Sequence, residues 1–306
     1  MSLVTDAPFI DGEIINMTNK MNPNAPIGIF DSGLGGLAVL REVNRLLPDE
    51  DCLFLGDTMR QPYGPQTVEQ VRQYAIEITG YLIEQGAKIV LIGCNTASIA
   101  GGDAAQACFP SVPVIGMIQP GVQAALRASQ SKRIGVWGTE ITIASQAYDQ
   151  LIFQTEPKAK VVGVSCPTLL RLAEKGKIDD RAYLLDLAAK DFQKVEDFKA
   201  DTLILGCTDF TCVRDVIDEV VGDKAIVVDP AEEVVREAVK VMAERIGLNI
   251  GQDRPAKTEF YVTGHDQENF SRFGAIFLGV PSIDVTRVQL EDFQKAAGVS
   301  GRTNNY

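Results

Sequence analysis

The sequence contains one histidine, His265, in 306 residues, and this scarcity excludes most sites that are built on imidazole groups. A metal site with several histidines, or a nucleophile activated by a neighbouring histidine, has almost no side chain to use. The six cysteines include no CxxC pair and no spacing typical of zinc sites, so we expect no metal. A chain of this length can build its core without disulfides, and we expect free thiols.

Long apolar runs and an excess of positive charge are also missing. No apolar run approaches the roughly 18 residues that a membrane span requires, and residues 1–25 lack the pattern of a secretory signal. The 29 basic and 41 acidic side chains give a formal net charge of -12. Since a membrane span and a secretory signal are both missing, we expect a cytoplasmic protein. Because the acidic surface repels phosphate and anionic lipid, we expect it to bind neither nucleic acid through bulk charge nor membranes.

Short apolar runs alternate with helical patterns along most of the chain, which predicts an α/β fold with parallel sheets. The predicted strands cover Ile27–Phe30, Cys52–Leu55, Ile89–Ile92, Val112–Ile118, Arg133–Trp137, Lys160–Val164, Thr202–Leu205 and Ala225–Val228. Thr67–Gln85 has the apolar periodicity of a helix, with a capping box formed by Thr67 and Gln70. The pattern predicts a helix over Ala231–Ile246, then a strand at Glu259–Thr263, a helix at Gln267–Leu278 and a strand at Ile283–Val288.

A weak internal repeat suggests two related α/β halves. Ile27–Ser32 resembles Ile134–Thr139, and the cysteine-containing segment Val90–Thr96 resembles Leu203–Asp209. We therefore predict two pseudo-symmetric parallel-sheet domains with the active site in the cleft between them. The predicted divisions are an extension over 1–25, a first domain over 26–125 plus about 231–292, a second domain over 126–230 and a tail over 293–306.

Ligands of open α/β sheets bind where the strands end, and four polar clusters lie at such positions. They are Asp31-Ser32-Gly33, Gly56-Asp57 with Tyr63-Gly64, Cys94-Asn95-Thr96, and Cys207-Thr208-Asp209. Each half thus offers one thiol, and a helix that begins there would favour the thiolate and lower its pKa. Two thiols on opposite sides of a ligand could exchange protons with both faces of one carbon. The alternative is that both are buried cysteines at strand ends; the other four cysteines are assigned to packing.

The glycine run Gly33–Gly36 lacks the spacing of a dinucleotide site and has no phosphate-binding lysine. We expect its backbone to approach a ligand carboxylate instead. Neutral donors near the thiols also suit such a ligand: Ser32, Asn95, Thr96 and Thr208.

Read together, these clusters resemble glutamate racemases of the cofactor-independent aspartate/glutamate racemase superfamily. The resemblance depends on Ile29–Leu37, Gly56–Thr58, Pro62–Gly64, Cys94–Ser98 and Leu205–Thr208, and it extends from about residue 27 to 288. It implies a two-domain α/β enzyme that interconverts L- and D-glutamate without pyridoxal phosphate, metal or another cofactor. It also implies D-glutamate supply for peptidoglycan in a bacterial cytoplasm, an acidic amino acid as substrate, and possible homodimers.

By motif position, the resemblance makes Cys94 and Cys207 the two catalytic acid/base thiols. Glu174 matches an acidic residue that assists catalysis in the family. The remaining matched positions hold substrate or tune the thiols, and Thr139, which echoes Ser32 in the repeat, joins them. They are Asp31, Ser32, Tyr63, Gly64, Asn95, Thr96, Thr139, Thr208 and Asp209, of which Asp31 and Asp209 are also catalytic candidates.

Asp209 is the main departure from the family pattern, because glutamate racemases usually carry histidine there, followed two residues later by proline, where this chain has Thr211. A carboxylate beside Cys207 disfavours the thiolate, so we expect Cys207 to act first as an acid unless Asp209 is protonated or turned away. Asp209 can also be read as the N-cap of a helix from Phe210 to Val221. Related aspartate racemases resemble this site, so an aspartate racemase is one alternative. A binding or regulatory homologue with impaired catalysis is the other.

Overall fold

Two parallel β-sheets form the frame of the molecule in the computed structural model, which describes residues 22–174, 176, 178–251 and 254–296. The strands of the described residues are β1 Ile27–Asp31, β2 Cys52–Gly56, β3 Ile89–Ile92, β4 Val114–Ile115, β5 Arg133–Gly138, β6 Lys160–Ser165, β7 Thr202–Gly206, β8 Ile226–Val228, β9 Thr258–Val262 and β10 Val285–Arg287. The α-helices are α1 Leu37–Leu46, α2 Val68–Glu84, α3 Asn95–Cys108, α4 Ile118–Ala128, α5 Glu140–Ala144, α6 Ala147–Thr155, α7 Pro167–Glu174, α8 Arg181–Asp197, α9 Arg214–Val221, α10 Pro230–Arg245, α11 Gln267–Leu278 and α12 Leu290–Ala296.

The strand order confirms the internal repeat. The first sheet has the order β10-β9-β2-β1-β3-β4 and the second has β6-β5-β7-β8, with parallel pairing throughout. The second sheet therefore reproduces the order β2-β1-β3-β4 of the first, and β3 and β7 occupy equivalent places. Strands β9 and β10 return late in the chain to extend the first sheet. The predicted α/β class with two parallel sheets is confirmed.

Local sequence explains why these elements form where they do. Strands β1, β2, β3 and β7 are buried along their whole length, as expected for parallel strands covered on both faces. Helix α2 begins after Thr67, which forms the predicted capping box with Gln70, and the chain leaves it through Gly86 at φ +96°. The predicted bounds of α11 are those observed, whereas β4 is shorter than predicted and covers only two residues.

Packing of α4 and α10 joins the two sheets. Buried side chains of α10 belong to the core of the first sheet, and those of α4 belong to a cluster with β5, β7 and α6 of the second. The domain boundaries at 125 and 231 stay predictions. The predicted extension lies outside the described residues except for 22–25, and the tail lies outside them beyond 296. Of the helices described, none is both long and apolar enough to cross a membrane.

Candidate active site

The first thiol lies at the start of a long helix. Cys94 follows β3 and is the N-cap of α3, where its sulfur accepts a hydrogen bond from the Ala97 N–H at 3.5 Å. The Ser98 hydroxyl donates to the Cys94 carbonyl oxygen at 2.8 Å and accepts from the Met117 N–H at 3.0 Å. These bonds fix the loop at both ends. The thiol itself points toward the hydroxyl oxygen of Ser32, 4.0 Å away.

Asp31 ends the central strand beside this thiol and is almost fully buried. Its Oδ2 accepts the Gly33 N–H at 3.0 Å, whereas its Oδ1 is buried without a hydrogen-bond partner. Burial raises the pKa of the Asp31 carboxyl, against the opposing effect of N–H donors and of a hydrogen bond with Cys94. An acceptor atom that is buried and unpartnered costs free energy unless a ligand supplies a donor.

Tyr63 belongs to the same core cluster as the first thiol, and a buried network holds its loop in place. Its hydroxyl donates to Asp57 Oδ2 at 2.5 Å, and the Arg60 Nε donates to the same oxygen at 2.6 Å. The other oxygen of Asp57 accepts the Thr263 hydroxyl at 2.8 Å, and Arg60 also pairs with Glu77 at 2.7 Å. Asp57 is fully buried, so these bonds supply the hydrogen-bond donors that a buried carboxyl group requires.

The second thiol has a different setting. Cys207 follows β7 and precedes a 3₁₀ helix over Thr208–Val213, and it makes no side-chain capping bond. The prediction that Asp209 caps a helix from Phe210 to Val221 is wrong. Asp209 lies inside the 3₁₀ turn, and the α-helix starts only at Arg214. The Asp209 carboxyl group instead accepts a hydrogen bond from the thiol of Cys207, with the sulfur 3.4 Å from Oδ2.

Burial dominates the titration of both thiols, so the expectation that helix ends lower their pKa is wrong for this structure. The pKa of each thiol is raised well above its usual value, chiefly by desolvation. Negative charge on Asp31 raises the pKa of Cys94 further, and that on Asp209 does so for Cys207. The pKa of Asp209 is itself raised well above the usual carboxyl range by burial and by the negative charges of Asp31 and Glu174.

The two halves meet at these loops. The Thr96 and Thr139 hydroxyl oxygens are 3.2 Å apart, and the Tyr148 hydroxyl donates to Asn95 Oδ1 at 2.6 Å. A Cβ placed on Gly35 would lie 2.5 Å from the Thr208 hydroxyl oxygen and 2.9 Å from an Asp209 carboxylate oxygen. Negative charge on Cys94 raises the pKa of Cys207, which requires that the sulfurs are near each other.

The glycine run makes close contacts within the protein. The absence of a side chain at Gly35 lets Thr208 and Asp209 approach, and at Gly36 it makes room for Asp31, whose Cβ would lie 2.5 Å from an added Cβ. The glycines therefore close the first loop against Asp31 and against the second half. The expectation that their backbone also approaches a ligand carboxylate stays a prediction.

The structure brings the predicted site residues to one region. Nine of them are buried: Asp31, Ser32, Tyr63, Cys94, Asn95, Thr96, Cys207, Thr208 and Asp209. Gly64 faces Thr139, whose Cβ would be 3.7 Å from a Cβ at Gly64. Glu174 is the last residue of α7, and its negative charge raises the pKa of Asp209. Their chemical roles stay proposals.

Several other sequence expectations have clear outcomes. All six cysteines are free, as predicted. Cys52 and Cys166 are buried in the cores and Cys212 packs against one, but Cys108 is exposed, so its assignment to packing is wrong. His265 is exposed, beside Arg287, as expected for a loop histidine. Within the described ranges, no group of three or more histidine, cysteine or acidic side chains is arranged to hold a metal ion.

The sequence did not indicate the side chains that hold the site residues in place through hydrogen bonds, chiefly Tyr148, Arg60 and Thr263. Tyr148 and Asn95 are 53 positions apart, and Thr263 and Asp57 are 206 apart. No local pattern could have indicated either pair, because each forms only when distant elements come together.

Comparisons with known proteins agree with this geometry. Residues 27–238 match the family model described as Asp/Glu/Hydantoin racemase. A glutamate racemase from Geobacter metallireducens is 38% identical over 270 residues, which cover 88% of this chain and 98% of that protein. The crystal structure of a glutamate racemase from Bacillus anthracis superposes with a TM-score of 0.81 at 32% identity, covering 88% of this chain and 99% of its own. The glutamate racemase from Francisella tularensis in complex with D-glutamate has a TM-score of 0.80 at 29% identity, with coverage of 88% and 99%. The chain belongs to the Asp/Glu/hydantoin racemase family.

Proposed function

We propose that this protein is a glutamate racemase in which one of two buried thiols removes the α-proton and the other donates a proton to the opposite face. The observation that carries the proposal is the pair formed by Cys94 and Cys207. Each follows the equivalent strand of its sheet, and the two are near enough that the charge of one changes the pKa of the other. A carbon held between two such groups can lose a proton from one face and gain a proton on the other.

Two buried and unpartnered polar atoms support an amino-acid substrate. Asp31 Oδ1 can accept hydrogen bonds from an α-ammonium group, and Asn95 Nδ2 can donate to a carboxylate. They lie beside Cys94 on different elements, since Asp31 ends β1 and Asn95 directly follows Cys94 as the first residue of α3. The hydroxyls of Thr96 and Thr139 add neutral donors or acceptors nearby. The ends of an amino acid would satisfy both orphaned atoms.

Substrate binding would also bring a positive charge to this acidic site. Both thiols have raised pKa values because the site is buried and acidic. An ammonium group beside Asp31 would offset the negative charge there and so lower the pKa of Cys94. One thiolate then removes the α-proton while the opposite thiol donates its own, so the two sulfurs exchange protonation states in each turnover. Donors that hold the α-carboxylate stabilise the charge that develops on it.

Asp209 would act in the place of the family's histidine as a protonated carboxyl group. Its raised pKa favours the neutral form, which can donate a hydrogen bond to a thiolate at Cys207. In the ionised form it would instead oppose that thiolate. The proposal thus predicts that Cys207 works as a base only while Asp209 keeps its proton, and that otherwise it acts as an acid.

Racemisation of four amino acids tests the activity and the substrate together. Purified protein is incubated with L-glutamate, D-glutamate, L-aspartate and D-aspartate, and the circular dichroism signal is followed. We expect both glutamate enantiomers to decay toward zero signal and both aspartate enantiomers to decay at least about tenfold more slowly, since one missing methylene weakens binding by that order.

The other outcomes identify the alternatives. Faster decay of aspartate would assign the chain to the aspartate racemases, which Asp209 favours by resemblance. Binding of an amino acid without any decay, and without solvent deuterium at the α-carbon, would indicate a non-catalytic homologue. With glutamate as substrate, the proposed role is D-glutamate supply for peptidoglycan in a bacterial cytoplasm.

A further inference from the structure

Tyr148 is a buried residue of α6 that contacts the first half although it belongs to the second. Its hydroxyl donates to Asn95 Oδ1 at 2.6 Å, across the boundary between the two sheets. Its side chain is 1% exposed and packs in the core between α4 and β7. The bond therefore joins the helix that starts at the first thiol to the framework of the second half.

Two glycines lie close to the Tyr148 ring. A Cβ at Gly206 would lie 3.4 Å from ring carbon Cε2, and one at Gly121 would lie 3.5 Å from Cε1. Gly206 directly precedes Cys207, so the ring lies against the strand end that carries the second thiol. Burial raises the pKa of the Tyr148 phenol, and negative charge on Asp229 and Cys207 raises it further, so the hydroxyl keeps its proton and remains a donor.

The consequence concerns the orientation of the Asn95 amide. Its two polar atoms are about 120° apart on one carbon, and the hydroxyl of Tyr148 occupies the oxygen. The nitrogen Nδ2 therefore points away from Tyr148, and it is buried without a hydrogen-bond partner. A freely rotating amide would present oxygen or nitrogen to a ligand, and the oxygen would repel a carboxylate.

We propose that Tyr148 is a positioning residue for the substrate carboxylate: its hydroxyl fixes the Asn95 side chain so that the amide nitrogen, and not the oxygen, faces the bound amino acid. This inference rests on the proposed function and adds to it a residue outside the matched motifs. Tyr148 touches no substrate and acts through Asn95. Because it is anchored beside Cys207, the correct orientation of the amide also depends on the two halves being assembled.

Tyr148→Phe tests the inference, since it removes the hydroxyl and keeps the ring between its glycines. We expect KM for both glutamate enantiomers to rise about five- to tenfold, the value of one hydrogen bond, with kcat changed less than twofold. Tyr261→Phe is the matched control, because it also removes a 2.6 Å hydrogen bond to a side-chain oxygen, that of Glu259, away from the thiols. We expect its KM to equal that of the wild type.

A double-mutant cycle with Asn95→Ala separates positioning from simple packing. If Tyr148 acts through Asn95, the double variant has the KM of Asn95→Ala alone, because the amide that the hydroxyl orients is gone. A KM for Tyr148→Phe within twofold of the wild type would overturn the inference. So would effects that multiply in the double variant.

The assay also distinguishes this inference from the proposed function. If the wild type racemises neither amino acid, the proposed function fails, and the same variants are compared for glutamate binding by isothermal titration calorimetry. A five- to tenfold weaker affinity of Tyr148→Phe, absent in the double variant relative to Asn95→Ala, would still support the positioning role. Equal affinities would refute it.

Discussion

The loops that carry Cys94 and Cys207 occupy equivalent places in two similar sheets, yet their surroundings differ. Cys94 caps a fourteen-residue α-helix and is held by Ala97 and Ser98. Cys207 starts a 3₁₀ turn, makes no capping bond, and lies 3.4 Å from the carboxylate of Asp209. The repeated backbone places each thiol after the equivalent strand of its sheet, and the local sequence after each cysteine decides what surrounds it.

This difference indicates how one fold can provide an acid and a base from the same side chain. In each half the nearest carboxyl group raises the pKa of the thiol, Asp31 for Cys94 and Asp209 for Cys207. Asp31 retains a free acceptor for a substrate cation, whereas Asp209 bonds to the thiol itself. The first half is thus suited to bind the ammonium group, and the second to hold a proton.

Removal of both thiols should have the largest effect. In the double variant Cys94→Ser, Cys207→Ser, we expect solvent deuterium to enter the α-carbon at least about a thousandfold more slowly, because a serine hydroxyl is a far weaker base. Each single variant should also lose racemisation, since inversion requires both faces. Cys108→Ser, at an exposed position, is the control and should match the wild type. Unchanged deuterium incorporation in the double variant would refute the two-thiol reaction.

Asp31→Asn should have the next largest effect and should exceed that of Asp209→Asn. Loss of a charge-assisted bond to the ammonium group predicts a kcat/KM about 10- to 100-fold lower, whereas an amide at 209 can donate to a Cys207 thiolate as the proposed protonated carboxyl group would. We expect Asp209→Asn to stay within about tenfold of the wild type. Steady-state kinetics with both enantiomers measures the contrast. The assignment of different roles to the two carboxyl groups is wrong if the two variants lose activity equally.

The pH dependence of Asp209→Asn sharpens the comparison further. The pKa of Asp209 is raised in the folded protein, so the stability associated with its neutral form is present at low pH and is lost as the pH rises through that raised value. We expect the variant to melt above the wild type at pH 8 and level with it near pH 4. Its kcat/KM should also lose the fall at alkaline pH that ionised Asp209 causes. Parallel melting curves over the whole range would show that Asp209 keeps an ordinary pKa.

Ser98→Ala should have the smallest effect and should act on the first loop alone. It removes the hydroxyl that joins the Cys94 carbonyl to the Met117 N–H, which predicts a loss of about 1 kcal/mol in the free energy of unfolding. We expect kcat to fall no more than about threefold, because the lost hydrogen bonds hold the backbone of the loop and do not involve the sulfur itself. Ser271→Ala removes a comparable hydroxyl bond to Ile283 and should lower stability without changing kcat. A larger loss of kcat in Ser271→Ala than in Ser98→Ala would contradict this.

Much of the fold could be predicted because its signals are local. Apolar runs marked the strands, the Thr67 capping box marked the start of α2, and two matched pairs of segments indicated two related halves, which the duplicated sheet order confirms. The family motifs likewise indicated which residues gather at the strand ends. The titration of the thiols could not be predicted in this way, because burial outweighs the helix end and depends on everything packed around the sulfur.

The sequence by itself determined the α/β class, the two matched cysteines and the acidic residue at 209, since these depend on residue type and order along the chain. Only the tertiary structure decided that Asp209 bonds to Cys207 instead of capping a helix, and that Tyr148 orients Asn95. It also decided that the second half packs closely against Gly35, which has no side chain. These contacts join residues from different elements, and each depends on close packing between two halves whose sequences carry no record of their relative position.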